Sequence, residues 1–365
     1  MFDFIYKISN MPLQIVCLVG ILALGVFFLV KFCDIFVDSA CAIAKKMKIS
    51  PLVIGLTIVA MGTSCPELAV STSDSIKVLI DGGNANVALG NVVGSNICNL
   101  LLVLGLSAIF TPLTVKRTLI KREFPFLVGI SVLFVIFGIF FGVKSQADPN
   151  SVTHAITRWE AIIFIVLMVA YMIMIVKLAK RDQKLELQNG ENATQSEQNE
   201  ENDDKDKPLW QVIILCIIGL AGVILGGEMV VCGAKGLAIH GATAIGMDHD
   251  LTEALVGLTI VAVGTSLPEL VTSALAAKKG EVELAIGNVV GSNVFNTLFI
   301  LGIAGTVSPL TTGSQIIVDL LVMLGATVLV YVMALNKKLS RWNGIVMVLV
   351  YVAYLAYLIT RTLIS

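Results

Sequence analysis

The sequence predicts an all-α integral membrane protein with ten transmembrane helices, arranged as two inverted-topology repeats of five helices each. Three observations lead to this prediction: an apolar composition, ten apolar segments of membrane-spanning length, and an internal duplication. Of the 365 residues, 56% are apolar and 14% are charged, whereas soluble domains average about 45–50% apolar and about 25% charged residues. The composition excludes a soluble nucleotide-binding enzyme, and the formal net charge of -1 argues against a nucleic-acid partner.

The apolar segments each approach or exceed the roughly 20 residues that an α-helix needs to cross the hydrocarbon core of a bilayer. Short charged or Gly/Pro-containing connections separate them, and each boundary is defined to within about 2–4 residues. The predicted spans are 12–42, 51–76, 85–110, 124–143, 160–178, 210–238, 252–276, 284–308, 314–335 and 343–363.

One polar stretch, Lys184 to Pro208, divides the spans into two groups of five. It contains eight acidic residues, three lysines and many amides, and such a composition cannot bury a core, so disorder is expected. The predicted regions are a first five-helix repeat (1–183), an acidic linker (184–208) and a second five-helix repeat (209–365).

The distribution of lysine and arginine predicts the orientation, because cytoplasmic loops of membrane proteins are enriched in both residues. The connections on the side of the linker hold eighteen of them, and the connections on the opposite side hold six. We therefore expect a multi-pass protein of the cell membrane with both termini outside and the linker in the cytoplasm.

Two motifs occur once in each half. The stretch at 55–71 recurs at 257–273 with 13 of 17 positions identical, and the stretch at 88–99 recurs at 285–296 with 9 of 12 identical. Because each half has an odd number of spans, the second copy enters the membrane from the opposite side, as in many secondary transporters, whose binding site lies between the repeats. The GxxxG pattern in the second motif is, by itself, more typical of a helix contact than of a site.

The first motif combines a helix-breaking proline with an acid. Pro66 and Pro268 lack the N–H that would bond a carbonyl one turn earlier, and backbone groups freed inside a membrane must find other partners. Glu67 and Glu269 follow the prolines directly. A carboxylate at this depth is costly unless it faces a cavity or a partner, so it indicates an ion path.

Hydroxyl and amide groups recur around both acids at helical spacing. Thr63 and Ser64 precede Glu67 by four and three residues, which places them on one face if the helix resumes after the break. The groups expected to gather are Thr63, Ser64, Ser95 and Asn99 in the first half and Thr265, Ser266, Ser292 and Asn296 in the second. Because all are oxygen donors and no histidine falls within the motifs, hard cations such as Ca²⁺ or Na⁺ are favoured.

Simpler interpretations apply to single features: a lone proline is usually a kink, and a lone serine or asparagine usually bonds a neighbouring helix. The duplication of the Pro-Glu pair favours a site. Asp34 and Glu228 lie in the first span of each half and are candidates for an outer ligand or a gate, although Asp34 could equally pair with Lys31.

At these residues the sequence resembles the sodium/calcium exchangers of the calcium/cation antiporter superfamily. The resemblance covers nearly the whole chain and is most specific in GTSCPEL, GNVVGSNICN, GTSLPEL and GNVVGSNVFN. For Ca²⁺ it implies the ligands Glu67, Glu269, Thr63 and Thr265. For Na⁺ it implies the same glutamates with Ser64, Ser95, Ser266, Ser292 and the carbonyls of Ala60 and Ala262, and it makes Asn99 and Asn296 the central polar groups.

The resemblance implies a Na⁺/Ca²⁺ antiporter that works by alternating access, with Ca²⁺ and Na⁺ as transported ions, lipid as its surroundings, and neither a cofactor nor a protein partner. Some relatives carry an aspartate where this chain has Asn296, which argues against potassium coupling. A potassium-coupled or proton-coupled Ca²⁺ exchanger and a passive cation channel remain alternatives. An enzyme is not expected, because no nucleophile–base pair or phosphate-binding loop is visible.

Overall fold

The computed structural model is helical over most of the residues it describes, which are 11–81, 86–140, 142–144, 152–190, 207–244, 262–311 and 314–364. Six helical elements of these described residues precede residue 191. They are α1 (Met11–Met47), α2 (Pro51–Thr63), α3 (Cys65–Asp81), α4 (Asn86–Cys98, continued through a π-helical turn Asn99–Val103 into Leu104–Phe110), α5 (π-helical Leu119–Glu123 and then Phe124–Phe140) and α6 (Arg158–Gly190).

Six helical elements of the described chain follow residue 206. They are α7 (Leu209–Ala244), α8 (Ala262–Thr265), α9 (Leu267–Lys278), α10 (Val282–Phe295, continued through a π-helical turn Asn296–Ile300 into Leu301–Val307), α11 (Ser314–Ala334) and α12 (Arg341–Ile364).

Within the described residues, eight helices are long and apolar enough to cross a membrane, and α2 with α3, bent by 47° between them, makes a ninth candidate if the pair crosses as one span. The chain is therefore a multi-pass membrane protein. The predicted span 252–276 lies partly outside the described residues, which contain only its second part, α8 and α9. The count of ten thus remains a prediction.

The all-α prediction is wrong in one respect, because short antiparallel strands join several connections. The strands are β1 (Leu113–Thr114), β2 (Gly142–Lys144), β3 (Val152–Ile156), β4 (Leu310–Thr311) and β5 (Lys338–Leu339). β1 pairs with β5, and β3 lies between β2 and β4. The β1–β5 and β3–β4 pairs each join a loop of the first half to a loop of the second. Their hydrogen bonds satisfy backbone groups that would otherwise need other partners.

The last helix of the first half overlaps the predicted start of the linker. Helix α6 continues to Gly190, so the linker residues from Lys184 to that point are helical. Leu, Glu, Gln and Lys favour helix, which explains why α6 continues past the polar boundary. Residues 191–206 lie outside the described part.

The centre of the bundle is formed by α4 and α10. Of the most apolar 18 residues of each helix, 94% are buried in α10 and 78% in α4, against 22% in α1 and 28% in α6. The second duplicated motif lies on these two central helices, which surround its polar residues with protein.

Glycines allow α2 to cross α10 at backbone contact. A methyl group at Gly287 would lie 2.9 Å from the carbonyl oxygen of Leu52 and 3.1 Å from the Cα of Gly55. The packing interpretation of the GxxxG pattern is therefore correct at Gly287. Around Gly90 and Gly94 no described atom lies within 4 Å of such a methyl, and most of the segment equivalent to α2 lies outside the described residues.

Helices α1 and α7 pack along each other on the outside of this core. A methyl group at Gly226 of α7 would lie 2.7 Å from the backbone nitrogen of Leu29 on α1. The two helices contain 37 and 36 residues, so each is about 55 Å long at about 1.5 Å per residue. Such a length exceeds the roughly 30 Å hydrocarbon core, so the pair must tilt or protrude.

Candidate ion-binding site

Both duplicated prolines lie just after a break between two helices, as predicted. The breaks fall at Ser64, with φ -84° and ψ 10°, and at Ser266, with φ -88° and ψ 6°. These angles leave the α-helical region. The helical hydrogen bonds resume at once, since the carbonyl of Ser64 accepts from the N–H of Leu68 at 3.1 Å and that of Ser266 from Leu270 at 3.0 Å.

The breaks place two carboxylates inside the protein. Glu67 and Glu269 lie in the first turns of α3 and α9, and both are completely buried (0% exposed). The N-terminal end of a helix carries partial positive charge, which favours a carboxylate at this position.

Each glutamate is hydrogen-bonded to the serine of the opposite break. Ser64 donates to Oε1 of Glu269 at 2.8 Å, and Ser266 donates to Oε1 of Glu67 at 3.5 Å. Helical spacing predicts that Ser64 shares a face with Glu67 of its own half, but the observed bond runs to the other half. Each half therefore supplies the serine that bonds the glutamate of the other half.

The serines of the second motif lie beside the same carboxylates. The hydroxyl of Ser292 is 3.5 Å from both Oε1 of Glu269 and the carbonyl oxygen of Ala60, and can donate to either. Ser95 lies beside Glu67 without reaching hydrogen-bond geometry. Two serines on the central helices thus face two glutamates on the broken helices.

The two central asparagines begin the π-helical turns of α4 and α10. The carbonyl of Asn99 accepts the N–H of Leu104, and the carbonyl of Asn296 accepts that of Leu301, in each case five residues later. Such π turns often mark functional sites. Both asparagine side chains are completely buried, so their amides lie in the interior at equivalent points of the two halves.

Several of these buried polar atoms have no hydrogen-bond partner among the described residues. They are Oε2 of Glu67 and of Glu269, the hydroxyl of Ser95, and both amide atoms of Asn99 and of Asn296. Buried polar atoms are nearly always satisfied in folded proteins, and an unpaired one costs free energy. A concentration of them around two carboxylates fits a site whose partners are cations or water.

The remaining ligand candidates differ between the halves. The Thr63 hydroxyl is completely buried and lies beside Glu269, and it can donate to the carbonyl of Val59 at 3.1 Å or to Oδ1 of Asn288 at 3.2 Å. Thr265, at the end of α8, is only half-buried. The last candidate, Ala262, is the first described residue of α8.

Two further asparagines support the site, and the sequence interpretation missed them. Asn91 donates to the hydroxyl of Ser71 at 2.9 Å and to the backbone carbonyl of Glu67 at 3.2 Å. Its counterpart Asn288 donates to Ser273 at 2.9 Å. All four side chains lie in the duplicated motifs, so their recurrence was a signal that could have identified them.

The structure does not bring Asp34 or Glu228 to the site. Asp34 forms an ion pair with Lys279 at 3.0 Å, and Asp38 forms a second one at 2.7 Å. The alternative that Asp34 pairs with Lys31 is not observed among the described residues, where a contact from α1 to the end of α9 takes its place. Glu228 is exposed on α7 and makes no hydrogen bond or ion pair with a described residue.

The environment of Lys279 keeps this lysine charged. Partial burial by itself would lower the pKa of its ammonium group, but the carboxylates of Asp38 and Asp34 outweigh burial and hold the pKa above its usual value. The contact between α1 and the end of α9 is consequently ionic throughout the neutral pH range.

The chemistry of the donor set favours a hard cation. The site combines two carboxylates with hydroxyl, amide and carbonyl oxygens, which suit Ca²⁺ and Na⁺. Nowhere in the described ranges do three or more His, Cys, Asp or Glu side chains gather as they would around a transition metal.

Comparison with known proteins identifies a family over most of the chain. The family described as sodium/calcium exchanger protein matches residues 17–177 and 212–360. The chain is 34% identical to the sodium/calcium exchanger MaX1 of Methanosarcina acetivorans, over 93% of this chain and 97% of that protein. It is 32% identical to the inner membrane protein YrbG of Escherichia coli, over 80% of each.

Among solved structures, the chain is similar to the sodium-calcium exchanger NCX_Mj soaked with 10 mM Na⁺ and 10 mM Sr²⁺. The TM-score is 0.73 at 30% sequence identity, and the match covers 94% of this chain and 98% of that one. The similarity therefore extends over the fold as well as the motifs.

Proposed function

The chain belongs to the sodium/calcium exchanger family, a family of transporters, and from this premise we propose that it exchanges Na⁺ for Ca²⁺ by alternating access. One observation carries the proposal: Ser64 and Ser266 bond the glutamates of the opposite halves. In transporters with inverted repeats, a site between the two halves is exposed to one side of the membrane at a time.

In this proposal Ca²⁺ is held by the carboxylates of Glu67 and Glu269 and by the hydroxyls of Thr63 and Thr265. Two carboxylates neutralise one Ca²⁺ or two Na⁺. If more than two Na⁺ move in each cycle, the exchange carries net charge and responds to the membrane potential.

Sodium ions use the flanking oxygens and share the glutamates, so the two ions compete and do not occupy the site together. The central amides of Asn99 and Asn296 coordinate without adding charge. The proposed flanking ligands are the hydroxyls of Ser64, Ser95, Ser266 and Ser292 and the carbonyls of Ala60 and Ala262.

Alternating access takes place by motion of α1 and α7 against the remaining helices. Support comes from their long mutual packing, at glycines such as Gly226, on the outside of the central helices. The site lies on the broken helices and the central helices, so movement of the outer pair can expose it to one side at a time without dismantling it.

The proposed topology has ten spans, in inverted repeats covering 1–183 and 209–365, with 184–208 as a cytoplasmic connection and both termini outside. Support comes from the recurrence of the long first helix, the broken helix and the π turn in both halves. The Lys and Arg asymmetry supports the orientation.

Flux measurements on reconstituted vesicles test the proposal. Vesicles loaded with Ca²⁺ are diluted into media containing Na⁺, K⁺ or neither, at several pH values and constant ionic strength. We expect release of Ca²⁺ only when Na⁺ is present outside. Release without any counter-ion would indicate a channel. Release driven by K⁺ alone or by a pH gradient alone would show that K⁺ or H⁺, and not Na⁺, is exchanged for Ca²⁺.

A further inference from the structure

The buried face of α3 is entirely polar. The buried residues of this helix are Glu67, Ser71 and Ser75, and each is 0% exposed. Its apolar side chains are half-buried or exposed, up to 57% at Leu79 and 76% at Ile80. By contrast, the α-helical part of α5 buries mainly phenylalanine, leucine, isoleucine and valine. A polar face turned into the protein inside a membrane indicates a function beyond packing.

Asp74 adds a carboxylate to this face. At about 3.6 residues per turn, Asp74 lies within about 20° of Glu67 and about 60° of Ser71 around the helix axis. It is about 10 Å further along the axis than Glu67, at about 1.5 Å per residue. In the proposed topology this direction leads to the outer surface, and Asp74 is half-buried. The polar face therefore extends outward from the ion site.

Two hydroxyls of α3 have no hydrogen-bond partner among the described residues, those of Ser75 and Thr72. Buried serines elsewhere in the chain donate to the carbonyl one turn earlier, as Ser107 and Ser131 do at 2.8 Å. Ser75 makes no such bond although it is completely buried. Because an unpaired buried hydroxyl costs free energy, the Ser75 hydroxyl fits a position where a ligand supplies the missing contact.

The oxygens around Ser75 retain capacity for a cation. Oδ2 of Asp74 accepts the N–H of Ala88, in the first turn of α4, at 2.9 Å. No lysine or arginine in the described ranges forms an ion pair with Asp74. The hydroxyl of Ser71 accepts from Asn91 at 2.9 Å, and a hydroxyl oxygen has a second lone pair. Carboxylate and hydroxyl oxygens suit a hard cation.

We propose that Asp74, Ser71 and Ser75 bind one Na⁺ between the outer surface and the ion site. A single carboxylate balances one positive charge, so a monovalent ion is favoured over Ca²⁺, which would stay half-neutralised. The role of this ion rests on the proposed exchange, in which the bound Na⁺ is the one that next enters the ion site from outside. Its binding is independent of transport.

Asn91 connects the proposed position to the ion site. Its amide donates both to the hydroxyl of Ser71 and, at 3.2 Å, to the backbone carbonyl of Glu67. One side chain therefore contacts a ligand of the proposed Na⁺ and the helical turn that carries the carboxylate of the ion site.

The second half has no equivalent position. By the register of the duplicated motifs, Asp74 and Ser75 correspond to Ala276 and Ala277 of α9, and both alanines are 0% exposed. The proposed Na⁺ therefore belongs to one side of the membrane only. The comparison also shows that alanine can occupy the position of Ser75 in a helix of this kind.

Equilibrium binding of ²²Na⁺ to the full-length protein in detergent, without Ca²⁺, tests the proposal. Asparagine at position 74 can still cap α4 but carries no charge, so Asp74→Asn should reduce the number of Na⁺ bound per protein by one. The matched control Asp81→Asn removes the same charge from the exposed end of the same helix and should bind as the wild type does. Equal numbers in all three proteins would overturn the proposal.

A second pair of variants tests the hydroxyl. Ser75→Ala should weaken binding of this Na⁺ about tenfold or more, as expected for loss of a contact to a charged group. Ser73→Ala, at an exposed position of α3, should leave it unchanged. If the Ser75 hydroxyl has no ligand, Ser75→Ala instead leaves Na⁺ binding unchanged and raises the midpoint of thermal unfolding. That result would overturn its assignment as a ligand.

A third measurement separates this position from the ion site. In Glu67→Gln/Glu269→Gln both carboxylates of the ion site are neutral, yet one Na⁺ should still bind, and adding Asp74→Asn should remove it. Absence of Na⁺ binding in the double variant, or binding that persists after Asp74→Asn is added, would overturn the proposal. Failure of Na⁺-driven Ca²⁺ flux alone would refute the proposed exchange and leave this binding result standing.

Discussion

The hydroxyl of Ser64 donates to Oε1 of Glu269 at 2.8 Å, across 205 positions of the sequence. Its counterpart, from Ser266 to Glu67, measures 3.5 Å. The site is thus pseudo-symmetric in its residues but unequal in its contacts, and the tighter contact belongs to Glu269.

The two glutamates are expected to be essential for calcium. Glu67→Gln and Glu269→Gln each remove one negative charge from the buried site, so Ca²⁺ is left half-neutralised and uptake should be abolished. Glu228→Gln, at an exposed position, provides the matched control and should transport normally. Sodium-dependent ⁴⁵Ca²⁺ uptake, with insertion checked separately, distinguishes these outcomes. Normal uptake by either site variant would show that the substituted glutamate has a structural role and is not a Ca²⁺ ligand.

The inequality of the serine contacts predicts unequal effects of removing them. A hydrogen bond to a charged group contributes about 1.5–3 kcal/mol, so Ser64→Ala should change the apparent Ca²⁺ affinity by about tenfold or more. Ser266→Ala should change it less, because its contact is longer. Uptake measured over a range of Ca²⁺ concentrations gives both values, and a larger effect of Ser266→Ala would contradict the observed geometry.

The ion pairs of Lys279 with Asp34 and Asp38 are expected to restrain α1. If α1 moves during exchange, these pairs must break, so Lys279→Met should accelerate exchange. The pairs are partly exposed, and such pairs contribute about 0–1 kcal/mol, which limits the gain to about fivefold.

The acceleration by Lys279→Met should disappear at high salt, where exposed charges are screened, and should be the same at pH 7 and pH 8 because the raised pKa keeps the lysine charged. Lys278→Met is the control. An equal effect of both substitutions, or an effect that persists in high salt, would show that the pairs do not limit the motion.

The crossing of α2 and α10 predicts a stability effect. In Gly287→Ala the new methyl lies 2.9 Å from the carbonyl oxygen of Leu52, and such overpacking costs about 1–3 kcal/mol. Gly129→Ala, where no described atom lies within 4 Å, should leave the midpoint of thermal unfolding unchanged or raise it. Thermal unfolding in detergent measures both, and equal midpoints would show that the helices separate at little cost.

The neutral amides of the centre predict that potassium is not required. Na⁺-driven Ca²⁺ flux should proceed with potassium absent from both sides of the membrane. In Asn296→Asp the new carboxyl can bind a proton, so flux should become more dependent on pH than in the wild type. Asn296→Ser, which adds no titratable group, separates this effect from loss of the amide. An absolute need for K⁺ in the wild type would overturn the sodium assignment.

Local chemistry allowed the sequence to predict where the site lies. Proline cannot donate a backbone hydrogen bond, and a buried carboxylate needs a partner, so Pro66 with Glu67 and Pro268 with Glu269 mark the breaks and the charges without any knowledge of the fold. The structure has both breaks within two residues of the prolines.

Contacts between distant segments could not be predicted in the same way. Helical spacing relates Ser64 to Glu67, but only the packing of the halves brings Ser64 to Glu269. Asp34 likewise lies near Lys31 in sequence, whereas its partner Lys279 is 245 residues away. The π turns at the central asparagines have no local signature that distinguishes them from ordinary helix.

Because each glutamate is bonded by the serine of the other half, neither half contains a complete site by itself. If the chain were cut between residues 191 and 206, each fragment would carry one glutamate and the serine that belongs to the other fragment's glutamate. The number of complete sites would then follow the concentration of paired fragments, as in enzyme complementation. For the same reason, a substitution in either copy of the motif acts on the carboxylate of the other copy, so the two copies evolve under one joint constraint.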